Sequence, residues 1–261
     1  MSKSFSDLGI NQSLQLSLSE LKLSVPTDIQ QKAIPIILGQ TEDVVAIAKT
    51  GTGKTAAFGL PLLQLIDVND PSVQALVLAP TRELGHQIHA NLVSYAFKSP
   101  DISIATLCGG IPIKPQIERL KTPTQIIVAT PGRLLDLVSK GALSLKNLKY
   151  LVLDEADEMV TVFKDDLDQI IKNIPNAHRT LVFTATLSGA VKQLVQNYMA
   201  KQLVQIEADM NTLGHQGIDH HYVVVEPIEK LAVLMHFLAT KEGQRGIIFC
   251  KTKAAVNKLA K

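Results

Sequence analysis

Val44–Thr55 reads VVAIAKTGTGKT: four apolar residues run into a turn carrying Gly51 and Gly53, and the apolar segment AAFGLPLLQLI follows. A strand, a glycine-bearing turn and a helix form the context that a phosphate-binding loop requires. Gly51 and Gly53 open backbone angles closed to other residues and let main-chain N–H groups converge on an anion. A helix beginning near Lys54 adds its N-terminal dipole and free N–H groups. In such a loop, Thr50-Gly51-Thr52-Gly53-Lys54-Thr55 surrounds the phosphates. Lys54 reaches the β and γ phosphates of a nucleoside triphosphate, and the Thr55 hydroxyl ligates Mg²⁺. The loop departs from the general pattern at Ala48, where that pattern has Gly.

Outward from this unit, short apolar runs alternate with helical patterns. The runs are Val44–Ile47, Ala75–Leu78, Ile102–Leu107, Ile126–Ala129, Leu151–Leu153, Thr180–Phe183 and Leu203–Ile206. Between them lie helical segments such as Arg82–Phe97, Gly132–Lys140, Lys164–Ile174 and Gly189–Met199, and two helices separated by Pro26-Thr27 precede them. Strands apolar on both faces and separated by helices predict an α/β fold, a parallel sheet covered on both sides. Each polar motif follows a predicted strand: KTGTGKT, PTREL (80–84), CGG (108–110), TPGR (130–133), DEAD (154–157) and TAT (184–186). Ligands of open parallel sheets bind at the carboxyl edge of the strands, so six segments converge on one rim.

Asp154 and Glu155 directly follow a buried apolar run, where two acids are costly unless a cation or a polar network compensates them. With a phosphate loop nearby, Mg²⁺ is the natural partner of Asp154, and Glu155 is placed to orient or deprotonate a water. The competing reading is a helix N-terminus, where acids favour the dipole.

Taken together, these residues resemble the DEAD-box family of ATP-dependent RNA helicases, in motif order and spacing over about residues 4–207 and onward to the end of the chain. Pro26-Thr27-Asp28-Ile29-Gln30 is similar to that family's Q motif, and Phe5 to its isolated upstream aromatic. The resemblance implies a RecA-like domain that uses ATP and Mg²⁺, with Gln30 reading the adenine edge and Phe5 stacking on the base. It implies that Thr81, Arg82, Gly109, Gly110, Thr130, Gly132 and Arg133 line a track for an RNA backbone, although Arg82 could instead pair with Glu83. It also implies that Thr184 and Thr186 link Asp157 to the RNA side. The chain departs from the family at Thr184, where Ser is usual, at Lys22-Leu23, where Gly and an aromatic are usual, and in the loop before Phe163.

The resemblance divides the chain into a RecA-like domain over 1–207, a linker over 208–217 and the start of a second such domain over 218–261. Strands are expected at His220–Val225 and Gly246–Cys250, with helices at Ile228–Leu238 and from Thr252. The family's second domain supplies arginines to the γ phosphate, and these 261 residues contain no HRxGRxGR-like segment. A fragment that binds ATP and RNA but turns over weakly alone is therefore expected, with a non-catalytic ATP- and RNA-binding module as the alternative. A phosphate-loop enzyme acting on DNA or small molecules would leave PTREL, TPGR and Gln30 unexplained.

A net charge of +2 is too small to argue for nucleic acid by itself, so any polyanion must meet a local patch. Cys108 and Cys250 form no CxxC, which predicts a reducing, cytoplasmic setting and buried small hydrophobes rather than ligands. His215, His220 and His221 lack the carboxylate or cysteine spacing of a metal site. No apolar leader or long apolar stretch predicts export or membrane insertion, and a monomer is expected.

Overall fold

The structure, a computed structural model, describes residues 3–175, 178–199, 202–208, 219, 221–241 and 243–260. The chain divides into two units, Met1–Leu213 and Gly214–Lys261.

In the first unit seven strands form one parallel sheet: β1 (Asp43–Ile47), β2 (Ala75–Leu78), β3 (Ile104–Leu107), β4 (Ile126–Ala129), β5 (Tyr150–Leu153), β6 (Arg179–Thr184) and β7 (Leu203–Glu207). Their order is β3-β4-β2-β5-β6-β1-β7, with every pairing parallel. Alternation along each strand feeds two cores. Val44, Ala46, Val77, Val128, Val152 and Phe183 face one side, and Val45, Leu76, Ile127, Leu151 and Val182 face the other. Both sets are buried, which is why these runs read as continuously apolar.

The first core is covered by α1 (Gln12–Glu20), α2 (Asp28–Gly39), α3 (Lys54–Leu65) and α4 (Arg82–Tyr95). The second is covered by α5 (Lys114–Arg119), α6 (Pro131–Ser139), α7 (Ala156–Val162), α8 (Lys164–Lys172) and α9 (Gly189–Tyr198). Strand order explains the division. From β1 through β2 to β3 the chain travels toward one edge of the sheet, and from β3 onward it returns. Right-handed crossovers put the connecting helices on one face going out and on the other coming back.

Register sets the height of each strand end. Leu107, Ala129, Leu78 and Leu153 lie in one row, which continues through Val182 to Val45. The segments after β2, β3, β4 and β5 therefore leave the sheet at a common level. β1 and β6 run two residues higher, so Asp154 lies below the loop that follows β1.

Some polar residues are structural and carry no motif. Arg179, 8% exposed at the start of β6, donates from Nη1 to Ile37 O (2.6 Å), from Nε to Glu42 O (2.6 Å) and from Nη2 to Ile36 O (3.3 Å). It caps the C-terminal turn of α2, whose last carbonyls lack helical partners. Buried Gln74 fastens the loop before β2, accepting from Asp67 N at 3.0 Å and donating to Asp67 O at 2.7 Å.

The second unit contains α10 (Lys230–Ala239) and α11 (Lys253–Leu259). The strands expected at 220–225 and 246–250 are not formed: residues 221–226 and 244–250 are irregular, and His220 lies outside the described residues. A strand is defined by pairing, and among the described residues no backbone pairs with these segments. Tyr222 (90%) and Phe249 (90%) are correspondingly exposed. The expected linker lies outside the described residues apart from Ala208.

Arg179→Ala removes three hydrogen bonds, one of them the Nη1 bond to the buried Ile37 carbonyl, and is expected to cost about 2–4 kcal/mol. Urea denaturation monitored on the sheet-containing unit measures it.

Candidate active site

Lys54, the first residue of α3, is buried, with Nζ 2.9 Å from Glu155 Oε1 and 3.9 Å from Asp154 Oδ1. Despite this proximity, Nζ makes no directed hydrogen bond. The ammonium is thus ion-paired with Glu155 while its donors remain free to turn to an oxygen-rich anion.

The loop before Lys54 is shaped for close approach. Gly51 and Gly53 have φ of +82° and +93°. A Cβ on Gly53 would fall 2.4 Å from Gln30 Nε2. Thr52 Oγ1 donates to Lys49 O at 2.7 Å and closes the turn, while Thr50 Oγ1 donates to Glu155 Oε1 at 3.1 Å. Thr55 lies on the first turn of α3 and lines the same cleft as Asp154.

Asp154 is 2% exposed, and burial raises its pKa to about 6 even though the Lys54 charge pulls it down. Glu155 has φ 51° and ψ 53°, a left-handed conformation that costs a non-glycine residue about 1 kcal/mol. Its amide donates to Asp154 Oδ1 at 3.1 Å and its carboxylate meets Lys54 and Thr50. The turn thus sends the two acids to different depths of one site.

Gln30 sits in the first turn of α2. Its Oε1 accepts from Thr27 N at 3.0 Å and its Nε2 donates to Gly53 O at 3.1 Å. The amide is held between a helix start and the phosphate loop, and each end retains capacity for one more hydrogen bond. Phe5, 6% exposed, is part of the first core and lines the cleft with Gln30, Leu23 and Val25. The cleft has a volume of about 330 Å³, with Gly51, Gly53 and Thr55 at the loop end and α4 as its other long wall.

All seven residues expected on a nucleic-acid track line a second, open groove: Thr81, Arg82, Gly109, Gly110, Thr130, Gly132 and Arg133, joined by Phe163. Thr81 caps α4, accepting from Leu84 N at 3.2 Å, and Thr130 Oγ1 accepts from Gly109 N at 3.3 Å. Arg82 pairs with Glu83 at 3.3 Å on an exposed surface, where such a pair is worth little. Gly110 has φ +82°, and a Cβ there would fall 1.9 Å from Arg82 Nη1. Arg133 is partly committed elsewhere: Nη1 donates to Gln116 Oε1 and Nη2 to Ile111 O, both at 2.9 Å. Buried Gln116 also donates to Cys108 O at 2.9 Å, so Arg133 and Gln116 brace the loop that carries Gly109 and Gly110. Sequence patterning missed this bracing role, since a glutamine in a short helix gives no signal of it.

The residues expected to couple the two sites are in contact. Thr186 Oγ1 donates to Asp157 Oδ2 and Thr184 Oγ1 to Thr186 O, each at 2.9 Å. Cys108 is buried, and burial raises its thiol pKa. Cys250 is half-buried. Among the described residues no cluster of three His, Cys, Asp or Glu side chains could hold a metal, and His215 and His220 lie outside them.

Comparison with known proteins places this geometry. The sequence pattern of the DEAD/DEAH box helicase family matches residues 27–194. The chain belongs to this family. It is 37% identical over 259 residues to the ATP-dependent RNA helicase CshA of Limosilactobacillus reuteri, covering 98% of this chain and 51% of that protein. The DEAD-box ATP-dependent RNA helicase CshA of Bacillus cereus is 38% identical over 258 residues, covering 98% and 48%. The chain thus spans about half the length of these relatives. Among solved structures, a DEAD box protein from Methanococcus jannaschii superposes with a TM-score of 0.76 at 37% identity, covering 100% of this chain and 70% of that one. A variant of Saccharomyces cerevisiae Dbp5 bound to RNA and ADP BeF3 superposes with a TM-score of 0.87 at 29% identity, covering 99% and 66%. The DEAD-box chain accordingly has the RecA-like parallel sheet of these structures.

The raised pKa of Asp154 fixes the sign of a pH effect. A folded value of about 6, above the ordinary aspartate value of 3.8, means a contribution to stability that is present below about pH 4 and lost as pH rises through 6. Asp154→Asn is expected to stabilise the ligand-free protein by about 3 kcal/mol at pH 7.5 and by less than about 1 kcal/mol at pH 4. Urea denaturation at the two pH values measures the difference.

Proposed function

We propose that this chain is the nucleotide-binding half of an ATP-dependent RNA helicase, binding ATP with Mg²⁺ in the Lys54 cleft and an RNA backbone in the groove beside Arg82. The observation that carries the reading is the buried Lys54 ammonium, ion-paired with Glu155 without a directed hydrogen bond and close to Asp154, at the mouth of a glycine-shaped loop. Lys54 holds the β and γ phosphates, Thr50, Gly51, Thr52 and Gly53 surround them, and Gln30 and Phe5 recognise the base. The donors present fit Mg²⁺: the Thr55 hydroxyl and the Asp154 carboxylate are hard oxygens, and two protein ligands suit an ion that keeps its waters and shares the phosphates. When bound, the ion neutralises phosphate charge and orients the nucleotide. Glu155 positions the attacking water and takes its proton.

Thr81, Gly109, Gly110, Thr130 and Gly132 offer close approach and helix N-termini to the RNA backbone, and Arg82 offers charge. Arg133 contributes chiefly by holding the Gly109–Gly110 loop. The contact from Asp157 through Thr186 to Thr184 carries the state of the nucleotide site toward the groove.

Turnover by these 261 residues alone is inferred to be weak. Among the described residues lining the cleft, Lys54 is the only cation and faces two carboxylates. An arginine at a transferring phosphate is worth about 10³–10⁵ in rate. The alternative is a binding module that never turns over ATP. Placement in the cytoplasm and a monomeric state complete the reading.

Glu155→Gln is expected to abolish ATP turnover in the presence of RNA while leaving ATP affinity within about threefold, measured by phosphate release and equilibrium dialysis. RNA-stimulated unwinding at full helicase rates by the 261-residue chain would refute weak turnover. Gly110→Ala forces a side chain onto Arg82 and a left-handed backbone, and is expected to weaken RNA binding about tenfold with ATP affinity unchanged, read by fluorescence anisotropy.

A further inference from the structure

The wall of the nucleotide cleft formed by α4 carries polar groups that neither the motifs nor the proposed roles use. Gln87, Asn91 and Tyr95 line the cleft, and their spacing of four residues places them along one face of the helix over about 12 Å. Neither amide side chain has a hydrogen-bond partner among the described residues, and neither does the Tyr95 hydroxyl. Tyr95 is 7% exposed, and the hydroxyl of a buried tyrosine ordinarily finds a partner. Here that hydroxyl is neither bonded nor sealed, which leaves it open to the cleft.

The lining contributed by the segments before and at the start of α2 is different in kind. Phe5, Leu23 and Val25 are apolar, and Leu23 (43%) and Val25 (64%) are exposed at the mouth. Gln30 is the polar exception there, and it is already tied to Thr27 and Gly53. A nucleoside whose phosphates are fixed at Gly51–Thr55 meets, within the same cleft, both an apolar surface and a stripe of unspent amides and a hydroxyl. A flat base suits the first. A sugar, whose hydroxyls both donate and accept, suits the second, because a carboxamide offers both functions.

We infer that Gln87 and Asn91, with the Tyr95 hydroxyl, bind the ribose hydroxyls of the nucleotide and make the site selective for ribonucleotides. This rests on the reading of the cleft as an ATP site. It assigns to α4, whose N-terminus serves the RNA groove, a second contact with the nucleotide. Occupancy of the cleft and of the groove then bear on the same rigid helix.

The test is equilibrium binding of ATP and of 2′,3′-dideoxy-ATP to the full chain, in wild type, in Gln87→Leu/Asn91→Leu and in Tyr95→Phe. Two neutral hydrogen bonds predict that wild type prefers ATP by about tenfold. The double variant is expected to bring that preference down to about threefold by weakening ATP alone, and Tyr95→Phe to reduce it about threefold. Gln87 is exposed and Asn91 half-buried, so folding is not at stake. Equal wild-type affinity for the two nucleotides, or an unchanged preference in the double variant, overturns the inference and leaves the ATP reading intact. Failure of wild type to bind either nucleotide overturns the ATP reading itself.

Discussion

One ammonium, buried between two carboxylates at the top of the sheet, ties distant parts of the sequence into a single site. Lys54 follows β1 and Asp154 follows β5, about a hundred residues later, yet both strands flank β6. The parallel register sets the depth at which they meet: Leu153 stops level with Val45, and Asp154 is swallowed below the loop. Burial then raises the Asp154 pKa, and the same geometry leaves the Lys54 donors without directed partners. The site is electrostatically unfinished within the fold. An oxygen-rich anion with a divalent ion would complete it.

The arrangement around this point shows how a parallel sheet converts order in sequence into proximity at an edge. Strands β2, β3, β4 and β5 end in one row, so PTREL, CGG, TPGR and DEAD emerge side by side. Two basins result, one around Lys54 and one around Arg82, and Asp157, Thr186 and Thr184 form a short polar chain of their own. Thr184 is fully buried, so its hydroxyl is confined, and the threonine at this position makes the contact through the hydroxyl it shares with serine.

Much of this was legible in the sequence because both faces of the sheet are covered. Doubly buried strands must be apolar throughout, which makes runs such as LVL before DEAD conspicuous and places each motif at a strand end. The sequence was silent where a polar residue acts across a long separation. Arg179 reads as a charge beside a strand, and nothing nearby announces that it caps a helix some 140 residues earlier. Arg133 reads as a phosphate ligand from its motif, whereas two of its nitrogens brace Gln116 and Ile111. Apolar periodicity at 221–225 and 246–250 predicts strands, but periodicity describes a face and not a partner, and pairing is what makes a strand.

Glu155 has a further consequence. Its carboxylate, turned by a left-handed backbone, lies on the Lys54 ammonium and accepts from Thr50. The loop thus holds an internal counter-ion against the group an incoming phosphate needs. Loading the cleft is then an exchange of anions, and its free energy is a difference between two ion pairs. A ligand with one weakly charged oxygen gains little from such a trade, whereas a chain of phosphates with its own divalent ion can displace the carboxylate and still gain. The carboxylate that the trade releases is the one proposed to handle water, so on that reading the act of filling the cleft also frees its base.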